Sequence, residues 1–138
     1  MNLNVLLVDD SAVMRKMIAR ALKEGGLAIG EIVEADNGKN GVIQAKYREK
    51  ELSLILSDIN MPEMGGIDFV REVRKIPFLI RTPVIMITTE ARVETIATAK
   101  DAGANGYITK PFTSERIREK VLEVFKELGV KECPISRS

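Results

Sequence analysis

The sequence contains no histidine and no tryptophan, and its only cysteine is Cys133. Without histidine there is no Ser-His-Asp triad, no imidazole metal ligand and no phosphohistidine on this chain. A lone cysteine forms no intramolecular disulfide and no thiolate metal cluster, and a free thiol agrees with a reducing compartment. An excess of one charge is also missing: 21 Lys+Arg against 20 Asp+Glu leave +1. That balance gives no electrostatic footprint for nucleic acid, and no Lys/Arg run is long enough for a polybasic membrane anchor. The opening MNLNVLLVDD has neither a basic segment nor a long apolar core. No signal peptide or membrane span is expected there, and the cytoplasm is the expected location.

What is present is an ordinary globular composition, 45% hydrophobic and 30% charged in 138 residues. A chain of this length fits one domain and hides roughly two thirds of its unfolded surface. Five short apolar runs read as strands: Val5 to Val8, Ile32 to Ala35, Leu54 to Ser57, Val84 to Thr88 and Gly106 to Thr109. Runs apolar on both faces suggest strands covered on both sides.

Helical patterns lie between them. Met14, Met17, Ile18, Ala21 and Leu22 repeat at helical spacing between a candidate N-cap, Ser11, and the Gly25-Gly26 stop. Val42 and Ala45, with Tyr47, mark a second helix after Asn37-Gly38, and Ile67, Val70 and Val73 a third after Gly65-Gly66. Val93, Ile96, Ala97, Ala99 and Ala102 give a fourth helix with a small, weakly apolar face, expected to be the least firmly packed and to move. Ile117, Val121, Val124, Phe125 and Leu128 form the clearest stripe. The order βαβαβαβαβα predicts a parallel sheet with helices on both faces, joined by right-handed crossovers. A folded unit over residues 1–128 and a frayed tail over 129–138 are expected. The link from Ile76 to Arg81 suggests no function.

The residues that follow the strands carry the chemistry. Asp9-Asp10 follow strand one, Asp58 strand three, Thr88-Thr89 end strand four, and Lys110-Pro111 follow strand five. In an open parallel sheet the C-terminal strand ends share one edge, where ligands bind. Three neighbouring carboxylates repel unless a cation is supplied. An all-oxygen donor set without His or Cys favours Mg²⁺ or Mn²⁺ over zinc, with phosphate able to complete the coordination. Lys110 and Thr88 suit phosphoryl oxygens, and Asp58 can act as a nucleophile forming an acyl phosphate. Taken singly, each Asp is more often a turn former or helix cap, Thr88 a strand residue and Lys110 a solvated charge. The case rests on their coincidence at one edge.

The segments VLLVDDSAVMRK, SDINMPEMGG, VIMITTEA and GYITKPF resemble the motifs of bacterial two-component response-regulator receiver domains, over about residues 3 to 128. KVLEVFKELG is similar to the ending of the stand-alone chemotaxis receivers, the CheY type. The resemblance implies a flavodoxin-like (βα)5 fold with strand order 2-1-3-4-5. It makes Asp58 the phosphoacceptor, and gives Mg²⁺ to Asp9, Asp10, Asp58 and the Asn60 backbone carbonyl. Thr88 and Lys110 would bind phosphoryl oxygens, with a cis Lys110-Pro111 peptide, and Thr88 and Tyr107 would form the switch. Asn60 and Glu90 would set the phosphate lifetime, here a short one. Without the resemblance, Tyr107 reads as an ordinary edge-strand tyrosine. Gly65 and Gly41 depart from the family pattern, Gly41 at about 1 kcal/mol for a mid-helix glycine.

The implied partners are a histidine kinase as phosphohistidine donor, a flagellar motor switch protein reached through helix four, strand five and helix five, and a phosphatase. The protein is expected to be a monomer that signals by binding other proteins. Two alternatives stay within the family: a phosphorelay intermediate, and a receiver cut from a longer regulator such as a chemotaxis methylesterase. From another class, an Asp-nucleophile phosphatase of the haloacid dehalogenase type would need DxDxT where this chain has DDSAV. A flavin carrier of the same fold would need a hydroxyl-rich loop where Asp9-Asp10 stand.

Overall fold

The computed structural model describes residues 2–130 and Ile135. The order is β1 (Leu3–Val8), α1 (Ala12–Glu24), β2 (Ile29–Ala35), α2 (Gly38–Tyr47), β3 (Leu54–Ser57), α3 (Gly66–Val73), a 3-10 turn (Pro77–Leu79), β4 (Val84–Thr88), α4 (Val93–Ala102), β5 (Gly106–Thr109) and α5 (Ser114–Glu127). All strand pairs are parallel and the sheet order is β2-β1-β3-β4-β5.

The alternation of side chains along the strands divides the core in two. Leu3, Val5 and Leu7 of β1, with Leu54 and Leu56 of β3, pack against Ile18 and Leu22 of α1 and Ile117, Val121 and Phe125 of α5. Leu6, Val8 and Ile55 face the other way, onto Ala45 of α2, Phe69, Val70 and Val73 of α3, and Ala99 of α4. Strands β3 and β4 are buried along their whole length. The edge strand β2 is not, because Gly30, Glu31 and Glu34 face water. The pairing of Leu3 with Ile29 carries β2 back to Ile29 and β1 back to Leu3, ahead of the expected Ile32 and Val5.

Three helices start on side-chain caps, each accepting an N–H that has no partner within the helix. Ser11 accepts from Met14, Asn37 from Asn40 and Thr113 from Arg116. Helices α3 and α4 begin without such a cap. Only Ala99 of α4 is buried, in keeping with a weakly held helix.

Several expected core positions are corrected. Met17 (51% exposed), Tyr47 (82%) and Val93 (79%) lie on the solvent sides of their helices, because helical spacing alone does not fix where a narrow stripe ends. Phe69, absent from the expected stripe of α3, is fully buried. Gly41 is not merely a weak point of α2. A β-carbon there would lie 2.8 Å from Cε1 of Phe69 and 3.2 Å from Cγ1 of Val8, so its absence lets α2 approach α3 and the sheet. The segment 76–81 contributes buried Ile76 and Leu79.

After α5 the chain turns at Gly129 (φ 73°), where the Val130 N–H reaches back to the Phe125 carbonyl, a glycine helix stop. The expected frayed tail, with Cys133, lies mostly outside the described residues. Ile135 forms an antiparallel bridge with Leu27.

Candidate functional site at the C-terminal strand edge

The topology places β1 and β3 side by side at the centre, registered Val8 to Ser57. The Asp58 N–H donates to the Val8 carbonyl at 2.9 Å and the Asp9 N–H to the Ala35 carbonyl at 3.1 Å, so the ladders hold both aspartates to the first residue past each strand. Carboxylate oxygens of Asp9, Asp10 and Asp58 lie within 4.8 Å of one another. Asp9 is 1% exposed and Asp58 9%, whereas Asp10 is open to solvent.

Lys110 comes from the far end of the sheet order. Its Nζ donates to Asp9 Oδ2 at 2.9 Å and to Asp58 Oδ2 at 3.1 Å, and the Lys110-Pro111 peptide is cis. The other carboxylate oxygens are engaged by backbone: Ser11 N–H reaches Asp9 Oδ1 at 2.9 Å and Ile59 N–H reaches Asp58 Oδ1 at 2.7 Å.

Burial pushes the Asp9 carboxyl above its ordinary value, and the Ser11 N–H and Lys110 only partly offset this. Burial pulls the Lys110 ammonium down, but its bonds and charges toward Asp9 and Asp58 win, and its net shift is upward. The two directions agree physically, because one lysine shared between two acids cannot repay the desolvation of Asp9. Three carboxylates and one ammonium leave two negative charges uncompensated. An all-oxygen set with that surplus fits a hard divalent cation.

Thr88 is fully buried at the end of β4. Its hydroxyl accepts the Glu90 N–H at 3.2 Å, and the Tyr107 hydroxyl donates to the Glu90 carbonyl. Thr88 and Tyr107 are therefore linked through the backbone of Glu90. Burial, then the charges of Glu90 and Asp58, raise the pKa of the Tyr107 phenol, so it remains a donor. The Glu90 carboxylate bonds Arg92 at 2.6 Å, which holds its pKa below the ordinary range. Asn60 is exposed.

Two supports were not foreseen. Arg15 donates from Nη1 to the Asp9 carbonyl at 2.6 Å while its Nε pairs with Glu34 at 2.7 Å. Gly66 packs directly under Asp58. Arg15 stands in DDSAVMRK and Gly66 in MPEMGG, but only the folded backbone shows what each touches.

Comparison with known proteins agrees with this arrangement. Residues 5–122 match the model of the response regulator receiver domain. The chain is 38% identical over 127 residues to chemotaxis protein CheY-3 of Vibrio cholerae, covering 92% of this chain and 95% of that one. Among solved structures, Vibrio cholerae CheY4 superposes with a TM-score of 0.80 at 34% identity, covering 90% of this chain and 99% of that one. A CheX-CheY-BeF3-Mg²⁺ complex from Borrelia burgdorferi gives 0.78 at 29% identity, covering 94% and 90%. No helix among the described residues is long and apolar enough to cross a membrane. With the domain model spanning most of the sequence, and the motif residues gathered at one sheet edge, the chain belongs to the response-regulator receiver family, of the CheY type.

Proposed function

We propose that this protein is a phosphorylation-dependent switch of a two-component system, with residues 1–128 as the receiver unit and Asp58 as the phosphoacceptor. The observation that carries this is the Lys110 ammonium bridging Asp9 and Asp58, with Asp10 alongside. The Asp58 carboxylate oxygen attacks phosphorus. The bond from phosphorus to the donor histidine nitrogen breaks, and its electron pair stays with the imidazole. Lys110 then has a phosphoryl oxygen to bond in place of a carboxylate oxygen, and the Thr88 hydroxyl can donate to another. With no histidine of its own, the chain receives the group from another molecule.

Asp9, Asp10, Asp58 and the Asn60 carbonyl would hold Mg²⁺, with Mn²⁺ a substitute. When bound, such an ion neutralises charge that builds on the phosphoryl oxygens. Asn60 and Glu90 would tune how long the acyl phosphate lasts, and the similarity to chemotaxis regulators suggests a short lifetime. The output passes from Thr88 through Glu90 to Tyr107, and so to the surface of α4, β5 and α5.

The chemotaxis relatives favour a flagellar motor switch protein and a chemotaxis histidine kinase as partners, acting in the cytoplasm on a monomeric switch. The neighbouring complex with CheX favours a further protein partner, such as a phosphatase. A phosphorelay role is the second reading.

The test is phosphate incorporation from a small acyl-phosphate donor with Mg²⁺. One alkali-labile, hydroxylamine-labile phosphate per chain is expected, lost in Asp58→Asn; Lys110→Ala should accept phosphate without transmitting the change. Steady hydrolysis of phosphomonoesters by the protein would instead favour the phosphatase class. Capture from cell extract with beryllium fluoride, against Asp58→Asn, separates the outputs. Motor-switch protein recovered only with the analogue supports chemotaxis, and a phosphotransfer protein supports a relay.

A further inference from the structure

Arg74 is the residue that ends α3, and all five of its side-chain N–H groups have acceptors. Nε and Nη2 both donate to the Gly103 carbonyl, at 3.1 and 2.7 Å. Nη2 also reaches Asn105 Oδ1 at 2.9 Å, and Nη1 reaches the Leu79 and Thr82 carbonyls at 2.6 and 2.7 Å. No carboxylate among the described residues pairs with it. Burial alone lowers its pKa. A cation so placed is tolerable because every donor is satisfied, and that same requirement fixes its geometry. A lysine, with one compact ammonium, could not repeat the fork.

The acceptors are where α4 ends and β4 begins. Gly103 is the C-cap of α4, at φ 122°, and a β-carbon on it would lie 2.7 Å from Cγ of Arg74. Asn105 takes the Val84 N–H on its side chain at 2.9 Å and gives its own N–H to the Val84 carbonyl at 2.7 Å. The C-terminal end of α4 is thus tied to α3, to β4 and to the preceding turn. Its other end differs. The N-cap Arg92 makes no side-chain cap bond, and Ala99, toward the tied end, is the only buried residue of the helix. Among the described residues that end, free of the sheet, is tied only to Glu90, whose carboxylate accepts from Arg92 at 2.6 Å and from the Thr95 hydroxyl at 3.5 Å, while its backbone is held by Thr88 and Tyr107.

We propose that Arg74 is the pivot of α4: it clamps the Gly103 cap, so that a displacement arriving through Glu90 turns the helix about its C-terminal end. The part played by Thr88 and Tyr107 rests on the proposed switch; the clamp itself does not. Ten residues at 1.5 Å each make a lever of about 15 Å, on which a rotation of about 8° moves the free end by about 2 Å. A small movement at the acid cluster then becomes a change at the exposed first turn, while the last turn stays in place.

The full chain with Cys133→Ser and paired spin labels tests this. One label goes on α5 through Glu119→Cys, the other on α4 through Glu94→Cys at the free end or Asp101→Cys at the clamped end; all three positions are exposed. Without ligand, the 94–119 distance distribution should be broader than the 101–119 one, and Arg74→Lys should broaden 101–119. If Arg74→Lys does not fold, Asn105→Ser, which removes one acceptor, should give a smaller broadening of the same pair. With beryllium fluoride and Mg²⁺, 94–119 should shift by about 2 Å while 101–119 holds. A 101–119 distribution as broad as 94–119, or one indifferent to the loss of the fork, overturns the pivot. If the ligand shifts neither pair but the unliganded widths keep their order, the clamp stands and the switch function falls.

Discussion

Gly66 lies so close beneath Asp58 that a β-carbon on the glycine would stand 1.9 Å from the Asp58 carbonyl oxygen. The obstacle is backbone, fixed by the β1–β3 ladder, and the Gly66 N–H also donates to the Ile59 carbonyl at 2.8 Å. Neither partner can step aside. Gly66→Ala should therefore cost at least the 1–3 kcal/mol typical of overpacking, roughly, and lower phosphate incorporation as well. Urea unfolding and incorporation measured on one preparation check this; a variant of unchanged stability would show that the backbone yields there.

Gly41 reverses the usual rule for a glycine inside a helix. Replacing such a glycine by alanine normally stabilises by about 1 kcal/mol. Here the new methyl meets the ring of Phe69, which is fully buried and has no room to retreat. Gly41→Ala should destabilise by about 1–3 kcal/mol, and combining it with Phe69→Leu should recover part of the loss. Thermal melts of the two single variants and the double variant measure the coupling.

The raised pKa of Asp9 has a sign that can be checked. A carboxyl raised by burial binds its proton more tightly in the folded chain, so its contribution to stability is fully present below the ordinary value of 3.8 and is lost as pH rises through the folded value. Asp9→Asn lacks this loss. In metal-free buffer, the stability of Asp9→Asn relative to the parent should grow as pH climbs from 3.8 and then level off. Denaturant midpoints across pH test it; a difference that stays flat would mean that Lys110 fully repays the burial of Asp9.

Divalent cation should act in the opposite direction. An ion that binds only the folded site stabilises by about 2.7 kcal/mol at a hundred times its dissociation constant, so Mg²⁺ should raise the melting temperature and a chelator should reverse the gain. Asp10→Ala removes the exposed carboxylate of the trio and should weaken the binding measured by calorimetry. Equal affinity in that variant would remove Asp10 from the metal set.

How far the sequence could be read depended on which force placed each element. Strands β3 and β4 begin and end where their apolar runs do, because burial on both faces leaves a one-dimensional mark. β2 lies at the sheet edge, and its first half, Ile29 to Glu31, hides among polar residues that a search for apolar runs passes over. The acid cluster and Lys110 were legible, since strand ends in a parallel sheet converge whatever the loops do. Arg15, Arg74 and Gly41 were not. Each acts on carbonyls or a ring brought near by folding, at separations for which the sequence carries no spacing rule.

The register of Val8 with Ser57 makes the hydrogen-bond ladder a ruler. Neighbouring strands stand about 4.8 Å apart whatever side chains they carry, so the gap between the backbones bearing Asp9 and Asp58 is set by peptide geometry common to every sequence. Leu, Ile and Val can be exchanged in either apolar layer while that gauge stays constant. Volume-conserving exchanges in the packing leave the spacing of the two acids unchanged.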